Sequence, residues 1–594
     1  MSKEQTDTNA QKSSALKFDD ILFTVGEFGK WQKILCFLVS LIGIMTAMNT
    51  LGQVFMAADT DHWCRVAHWD KANCTTGQFD DWECLKAKRN ASIPLIVTNK
   101  ETGEKDYDRC HMYDVRKLEF KPGMNATDYT NKIIDCSNGW VFDTTQYKTT
   151  IISEFELVCD AQTASSFLQS VYFAGLLFGS FFFGSVADWL GRKPTVFIST
   201  ILFMLASIGN TFSPNFFAYM LLRFFVAAGG IGSYLVAYVL ACEFIGPNKR
   251  VLVGISVQIF PSIGLSILPL IAYFVPTWRP LQLLIAVPTI LYLLLYFYFP
   301  ESARWQISKG RYRQAETTLR KLAKSNKRDF PEDVFTNANI RAAQAETHSA
   351  AKQTAFGLFA SPNMCIKTLN MMFNWAVNSM VYYGLGLSTS DLGVDDYVAA
   401  AISGLVEFPS LIFCLFALQY GRRYNLSGSM LIGGIACVIT AFLEMGIVRT
   451  VIAMIGKFCI TASFATIYVV SGEIFPTPVR SAGMGLSSTA ARVAGILSPY
   501  ILQLKTVWEP LPFILFGSLS ILAGLLALLL PETNHKKLPE TLEEGEAFGK
   551  PRCFGGGDNE DNIAMVTMTM KDADMQQELD NHAYETTLEI DKKI

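Results

Sequence analysis

Twelve stretches of this chain are apolar for long enough to cross a bilayer as helices, and that constrains the fold more than any other feature. They fall near 31–57, 165–187, 194–212, 214–242, 251–275, 281–299, 367–390, 397–420, 427–447, 449–471, 481–505 and 511–531. About 20 apolar residues span the hydrocarbon core as a helix. In lipid a single segment must satisfy its own backbone groups, and a helix does so. The expected class is an all-α membrane protein. Composition agrees, with 50% hydrophobic and only 17% charged residues, against about 25% charge in soluble domains. The net charge of −3 does not point to nucleic acid. No phosphate loop, dinucleotide fingerprint, zinc spacing or nucleophile–base constellation is found. The reading is therefore not an enzyme, with no cofactor and no metal, although sodium coupling stays open.

Basic residues orient the chain. Arg192, Lys193, Lys249, Arg250, Arg422, Arg423 and Arg480 lie in short loops on one side. So do nine Lys/Arg between Arg304 and Arg328. The opposite short loops hold Arg279, Arg449 and Lys505. The basic side is expected in the cytoplasm, with both termini there. Residues 1–30 are read as a cytoplasmic N-terminus, 300–366 as a cytoplasmic central loop with short amphipathic helices, and 532–594 as a disordered cytoplasmic tail.

The long segment 58–164 falls on the other side. It holds Cys64, Cys74, Cys84, Cys110, Cys136 and Cys159, and sequons at Asn73, Asn90 and Asn125. An even cysteine count beside sequons reads as an extracellular, disulfide-bonded, glycosylated loop. The pairing cannot be read from the spacing.

Short signatures recur at an offset of about 230 residues: Gly191-Arg192-Lys193 with Gly421-Arg422-Arg423, Glu243…Arg250 with Glu473…Arg480, and Pro300-Glu301-Ser302 with Pro531-Glu532-Thr533. Each pair follows the same run of its half. The chain therefore reads as two six-helix halves, 31–299 and 367–531, in parallel repeat. That is a secondary-transporter plan, with a substrate site near the midplane between the halves.

The segment Gly184-Ser-Val-Ala-Asp188-Trp-Leu-Gly191-Arg192-Lys193 resembles the loop motif of the major facilitator superfamily. Two further segments resemble the organic cation, organic anion and carnitine transporters within it. They are Pro300-Glu-Ser-Ala-Arg-Trp-Gln-Ile-Ser-Lys-Gly-Arg311 and Gly483–Tyr500. The resemblance covers about 20–545. It implies the twelve-helix fold and gating roles for Asp188, Arg192, Lys193, Glu243, Arg250, Arg422, Arg423, Glu473 and Arg480. Asp188 and the basic pair are expected to contact the other half in one access state. Glu243 and Glu473 are expected to pair with basic residues a few positions along the chain.

Ionisable residues inside spans are costly and functional by default. Arg223 and Lys457 sit in similar places in the fourth and tenth runs, and the resemblance gives them structural or coupling roles. Glu407 and Arg492 remain. Glu407 matches an acid of the cation and carnitine branches, and the Lys that follows it in the anion branch is Ser410 here. Arg492 matches a position that is Asp in the cation branch and Arg in the other two. A carboxylate for an ammonium and a guanidinium for a carboxylate together suit a zwitterion. Mutual neutralisation of the two is the plainer alternative.

A quaternary ammonium has no proton to donate, so aromatic faces suit it. The resemblance places Trp375, Tyr382, Tyr234 and Tyr238 at cavity positions with Gln258, and Tyr468 is a further candidate. The expected function is a plasma-membrane transporter moving carnitine-like zwitterions and organic cations by alternating access. A polyspecific organic cation uniporter is the main alternative, ahead of an organic anion exchanger and a non-transporting sensor. The sequence leaves the oligomeric state open.

Overall fold

The computed structural model describes residues 18–72, 82–99, 104–330, 335, 355–534, 536, 538–539 and 541–549. Each apolar run is a helix. In chain order these are α1 (Lys30–Leu51, continued by Gln53–Met56), α2 (Thr163–Leu190), α3 (Arg192–Thr211), α4 (Phe216–Cys242), α5 (Pro247–Phe274) and α6 (Trp278–Ala286, then Pro288–Leu293). The second six are α7 (Pro362–Leu387), α8 (Asp396–Tyr420), α9 (Arg422–Ala441), α10 (Ile447–Ile474), α11 (Arg480–Gln503) and α12 (Leu511–Ala527).

Local chemistry sets several starts. The Asn215 side chain accepts from the Ala218 amide at 2.9 Å, and Asp395 accepts from Tyr397 and Val398. These side chains satisfy donors that the first turn leaves open. Nine of the helices among the described residues are long and apolar enough to cross a membrane. α7, α11 and α12 fall short of that measure for physical reasons. α7 carries a buried ladder in which Asn374 and Asn378 each donate to the residue one turn back. α11 carries Ser487, Ser488, Thr489 and Arg492. α12 has 17 residues. The polar faces of α7 and α11 look inward to protein, where polar groups find partners.

Packing repeats the sequence repeat. α3 packs on α4 and α6, α2 on α4, and α1 on α4 and α5; α9 packs on α10 and α12, α8 on α10, and α7 on α10 and α11. The halves meet along α5 with α8 and along α2 with α11, again related by the repeat. Gly404 of α8 permits one of these contacts, because a Cβ there would lie 2.7 Å from the Ser266 nitrogen of α5.

Strands among the described residues occur only in the cysteine-rich segment. His62–Cys64 pairs with Trp140–Phe142, Leu95–Asn99 with Glu104–Tyr107, and His111–Tyr113 with Ile133–Asp135, all antiparallel. They surround a small core of Trp63, Trp69, Met112 and Val115. Disulfides join Cys64 to Cys136 and Cys110 to Cys159, and Cys84 is also disulfide-bonded. Closing loops of 72 and 49 residues stabilises such a small core by about 4 kcal/mol each in the chain-entropy picture. Asn90 and Asn125 are exposed. Asn73 and Cys74 lie outside the described residues.

At the basic end, two short helices follow α6, Ala303–Ser308 and Tyr312–Ser325. The second buries Leu319 and Leu322 in one cluster with Ile21, Leu22 and Val25. The expected disorder of the tail is corrected for its first part. Leu542–Ala547 is a helix. Glu546 accepts from the Ser361 hydroxyl at 2.7 Å and from the amides of Asn363 and Met364 at 3.1 and 2.8 Å. Lys367 donates to the carbonyls of Gly545 and Phe548. A carboxylate at the open N-terminus of α7 is stabilised by its free amides and dipole, and that holds the segment in place. The tail from 550 on lies outside the described residues.

Candidate functional site

Glu407 sits midway along α8 and is 2% exposed. Three groups from three other helices converge on its carboxylate. Lys457 of α10 lies 3.2 Å from Oε1. The Tyr382 hydroxyl of α7 donates to Oε1 at 2.7 Å. The Ser262 hydroxyl of α5 donates to Oε2 at 2.7 Å, from the other half. The Lys457 ammonium also lies 3.5 Å from the Tyr382 ring centroid. Lys457 is therefore held as an ammonium guest would be, by a carboxylate and an aromatic face.

Aromatic rings continue this wall. Phe464 stacks on Tyr382 with centroids 5.5 Å apart and 13° between planes. Tyr468 meets Phe464 edge-on at 5.7 Å and Trp375 at 4.4 Å. Trp375 is buried and its indole N–H donates to the Ser471 hydroxyl at 2.7 Å. Tyr234 of α4 lies near Tyr468 and Tyr383, which brings the first half's aromatics to the same place. Tyr238, one turn nearer the basic end, hydrogen-bonds Cys242 and is also an electrostatic neighbour of Tyr234 and Tyr468. Gln258 is half-buried, and its carbonyl accepts from Ser262 at 3.3 Å.

Arg492 is half-buried on α11. It is an electrostatic neighbour of Tyr383 and Tyr468. Its Nη1 donates to the hydroxyl and carbonyl oxygens of Ser488, one turn back. Its Nε has no partner, and among the described residues no carboxylate pairs with it. The plainer alternative of a Glu407–Arg492 pair does not hold, because Lys457 takes that place. The region thus combines an acid paired with a lysine and a guanidinium that has no acidic partner among the described residues.

Sequence reasoning does not single out Ser262, Tyr383 or Phe464, and it gives Lys457 a structural or coupling role. A signal for Lys457 exists: two opposite charges deep in apolar runs must each find a partner. Arg223 behaves differently. Fully buried, it donates to the Asn49 carbonyl at 2.7 Å and lies 4.3 Å from the Tyr172 ring centroid.

The gating candidates form two related clusters at the basic end. Arg192 pairs with Asp188 at 2.6 Å and with Glu243 at 3.1 Å. Arg422 pairs with Glu473 at 2.9 Å, and Glu473 also accepts from the Thr533 hydroxyl at 2.6 Å. Glu301 accepts from the amides of Arg192 and Lys193, and Glu532 from those of Arg422 and Arg423. Each acid caps the helix that starts there. Burial raises the Glu301 pKa above the ordinary carboxylate range against the pull of these amides. Gly191, at φ +118°, makes the turn, and a Cβ there would also clash with the Glu301 carboxylate.

One expectation is corrected here, the pairing of Glu243 and Glu473 with bases nearby in sequence. The ion pairs of Asp188 and Arg192 stay within their own half, and Lys193 lies over the Tyr296 ring of that half at 4.2 Å. The bases near Glu243 and Glu473 in sequence do not form their ion pairs, although Arg480 acts on Glu473 electrostatically. Arg250 pairs with Asp19 at 2.6 Å, and Arg480 donates to the Phe475 carbonyl at 3.1 Å. The start of a neighbouring helix brings Arg192 or Arg422 to each acid instead.

At the cysteine-rich end the halves touch directly. The Tyr147 hydroxyl donates to Asp396 at 3.0 Å, and Tyr397 stacks on Phe55 at 5.5 Å. A void of about 20 Å³ lies between the halves there, lined by residues such as Leu51, Phe55, Leu265 and Gly404.

The family profile described as "Sugar (and other) transporter" matches residues 120–544. The organic cation transporter protein of Drosophila melanogaster is 39% identical over 541 residues, covering 90% of this chain and 95% of that protein. The human organic cation/carnitine transporter 2 is 33% identical over 537 residues, covering 89% and 93%. Among solved structures, the proton:xylose symporter XylE bound to 6-bromo-6-deoxy-D-glucose aligns with a TM-score of 0.52 at 19% identity, covering 66% of this chain and 90% of that one. A partially occluded inward-open form of the xylose transporter from E. coli aligns with a TM-score of 0.53 at 15% identity, covering 86% and 100%. The fold is that of the major facilitator superfamily.

Proposed function

The chain belongs to the sugar (and other) transporter family and is a membrane transporter rather than an enzyme, and from that premise we propose that it carries zwitterions of the carnitine type together with organic cations. The observation that supports this reading is the charge pattern between the halves. Glu407 lies in an aromatic wall that suits an ammonium, and Arg492 offers an uncompensated guanidinium to a carboxylate. A zwitterion presents both groups at once. The names of two relatives, one an organic cation transporter and one an organic cation/carnitine transporter, point to the same chemistry.

In this reading the carrier works by alternating access, with the halves rocking about the site. It lies in the plasma membrane as a multi-pass protein, with both termini and the basic loops in the cytoplasm. The cysteine-rich segment is then extracellular and glycosylated at exposed sequons such as Asn90 and Asn125. Glu407 and Arg492 with Tyr382, Trp375, Tyr468 and Tyr234 form the substrate site. Tyr238 and Gln258 line its approach from the basic end. The Arg192–Glu243 and Arg422–Glu473 clusters brace each half as it moves. No cofactor takes part, and any ion coupling is read from the sodium arm below.

The test is uptake of labelled carnitine and labelled tetraethylammonium by cells expressing the protein, with and without sodium, beside Arg492→Ala. The expected result is uptake of both, with Arg492→Ala losing carnitine far more than tetraethylammonium. Uptake of tetraethylammonium alone, with Arg492→Ala silent, would replace this reading with that of a plain cation carrier.

A further inference from the structure

We propose that Lys457 is an internal counter-cation: its ammonium fills the cation subsite of the empty carrier, and a substrate ammonium must displace it from Glu407. This inference rests on the cation and zwitterion reading above and names how that site is controlled.

The geometry around Lys457 carries it. Three features that would recognise a guest ammonium already hold this one. The Glu407 carboxylate lies 3.2 Å away, the Tyr382 ring centroid 3.5 Å away and the Tyr382 carbonyl at 3.5 Å. Phe464 stacks on that ring and limits its movement. Lys457 is 1% exposed. A guest cation reaching Glu407 therefore meets a site that is full. Two ammonium groups cannot share one carboxylate in low dielectric without strong repulsion.

A lysine suits exchange better than a permanent bridge. Its charge is a compact group on a flexible four-carbon stem, with no fixed fork to lock it to a carboxylate. Glu407 keeps its hydroxyl donors from Tyr382 and Ser262 when Lys457 leaves, so the acid stays held for the substrate. Because Ser262 belongs to the other half, the exchange happens where the two halves are bonded. When Lys457 returns to Glu407, it expels the substrate cation. The lysine thus weakens binding and speeds release.

A structural pair makes the opposite demands. Removing one member of a buried bridge strands the other and is strongly destabilising, whereas removing both together is tolerated. Lys457→Gln and the neutral double variant Glu407→Gln/Lys457→Gln therefore separate the two cases. The measurement is KM and maximal rate of labelled tetraethylammonium uptake, normalised to transporter at the cell surface. Lys457→Gln is expected to lower KM at least tenfold and to lower the maximal rate with it, through slow release. The double variant is expected to raise KM at least tenfold above the parent. Loss of uptake in Lys457→Gln with parental KM in the double variant would overturn the proposal. If Lys457→Gln does not reach the surface, the double variant decides alone: a parental KM overturns the exchange and a tenfold rise supports it. A parent protein that takes up neither tetraethylammonium nor carnitine overturns the functional reading itself, whatever Lys457 does.

Discussion

Ser262 of α5 donates its hydroxyl to Glu407 of α8 at 2.7 Å, and this bond joins the two six-helix halves at a deeply buried acid. Substrate recognition and the movement of the halves therefore share a residue. Ser262→Ala removes one of two hydroxyl donors and leaves Tyr382 in place. A net hydrogen bond of this kind contributes about 1 kcal/mol. The expected outcome is a threefold to tenfold change in the KM for tetraethylammonium, at about the scale of that bond. Glu407→Gln is expected to abolish saturable cation uptake in the same assay.

Arg492 separates charge from geometry. Arg492→Lys keeps the positive charge but loses the planar fork that grips a carboxylate with two bonds. Carnitine KM is expected to rise about tenfold in the Lys variant, corresponding to about 1.4 kcal/mol. Tetraethylammonium KM is expected to stay within about twofold, a small fraction of that energy. Equal loss of both substrates would make Arg492 structural.

The basic-end pairs are internal to each half, so charge swaps can rescue only within a half. Arg192 and Glu243 are mostly buried, with side-chain exposures of 14% and 12%. Breaking such a pair costs about 3–5 kcal/mol, and Arg192→Glu is expected to abolish surface expression. Arg192→Glu/Glu243→Arg should recover part of it, and Arg422→Glu/Glu473→Arg should likewise recover part of what Arg422→Glu loses. The mixed swap Arg192→Glu/Glu473→Arg should not. Surface biotinylation with uptake reads all of them.

Glu546 fastens the start of the tail to the N-terminus of α7. Glu546→Ala removes three hydrogen bonds to Ser361, Asn363 and Met364. A lost helix cap costs about 1 kcal/mol. Amide exchange over 541–549 and at Asn363 and Met364 is expected to quicken, with exchange in α1 unchanged.

Glu154 anchors the cysteine-rich segment to α6. Its carboxylate accepts from the Trp278 indole at 2.6 Å and from Arg279 at 2.5 Å, while Arg279 also donates to the Thr211 carbonyl at 2.6 Å. Burial pushes the Glu154 pKa up, but these hydrogen bonds and the Arg279 charge outweigh it and leave it below the ordinary range. A depressed carboxylate stabilises the fold fully above its unfolded value of about 4.3. That contribution is lost as pH falls through the lower folded value. Thermal unfolding in detergent should show a smaller loss of stability between pH 6 and 3.5 for Glu154→Gln than for the parent, by about the part that Glu154 supplies.

The halves and their helices were legible because apolar length and the recurring motifs are local properties of the chain. The cysteine-rich insertion was legible in kind, by its cysteines and sequons, but its pairing was not. Connectivity depends on which strands of that segment lie side by side. The inward-facing polarity of α7 was readable as an asparagine ladder only once the helix's neighbours were known. The clearest limit lies at Glu407, whose charge and depth were apparent from residues 397–420 alone.

Apolar run length and the recurring motifs commit this chain to crossing a membrane as two repeated sets of helices, because hydrophobic length and backbone hydrogen bonding permit little else in lipid. The sequence also marked Glu407, Lys457 and Arg492 as charges that need a reason to be buried. Which of them meet follows from helix packing. Three residues on three helices are related by packing angles and helix rotation, and 50 residues of chain separate Glu407 from Lys457. Pairing in low dielectric is set by a few ångströms, and the helix contacts fix those distances. They gave the acid to Lys457 and left Arg492 without an acidic partner.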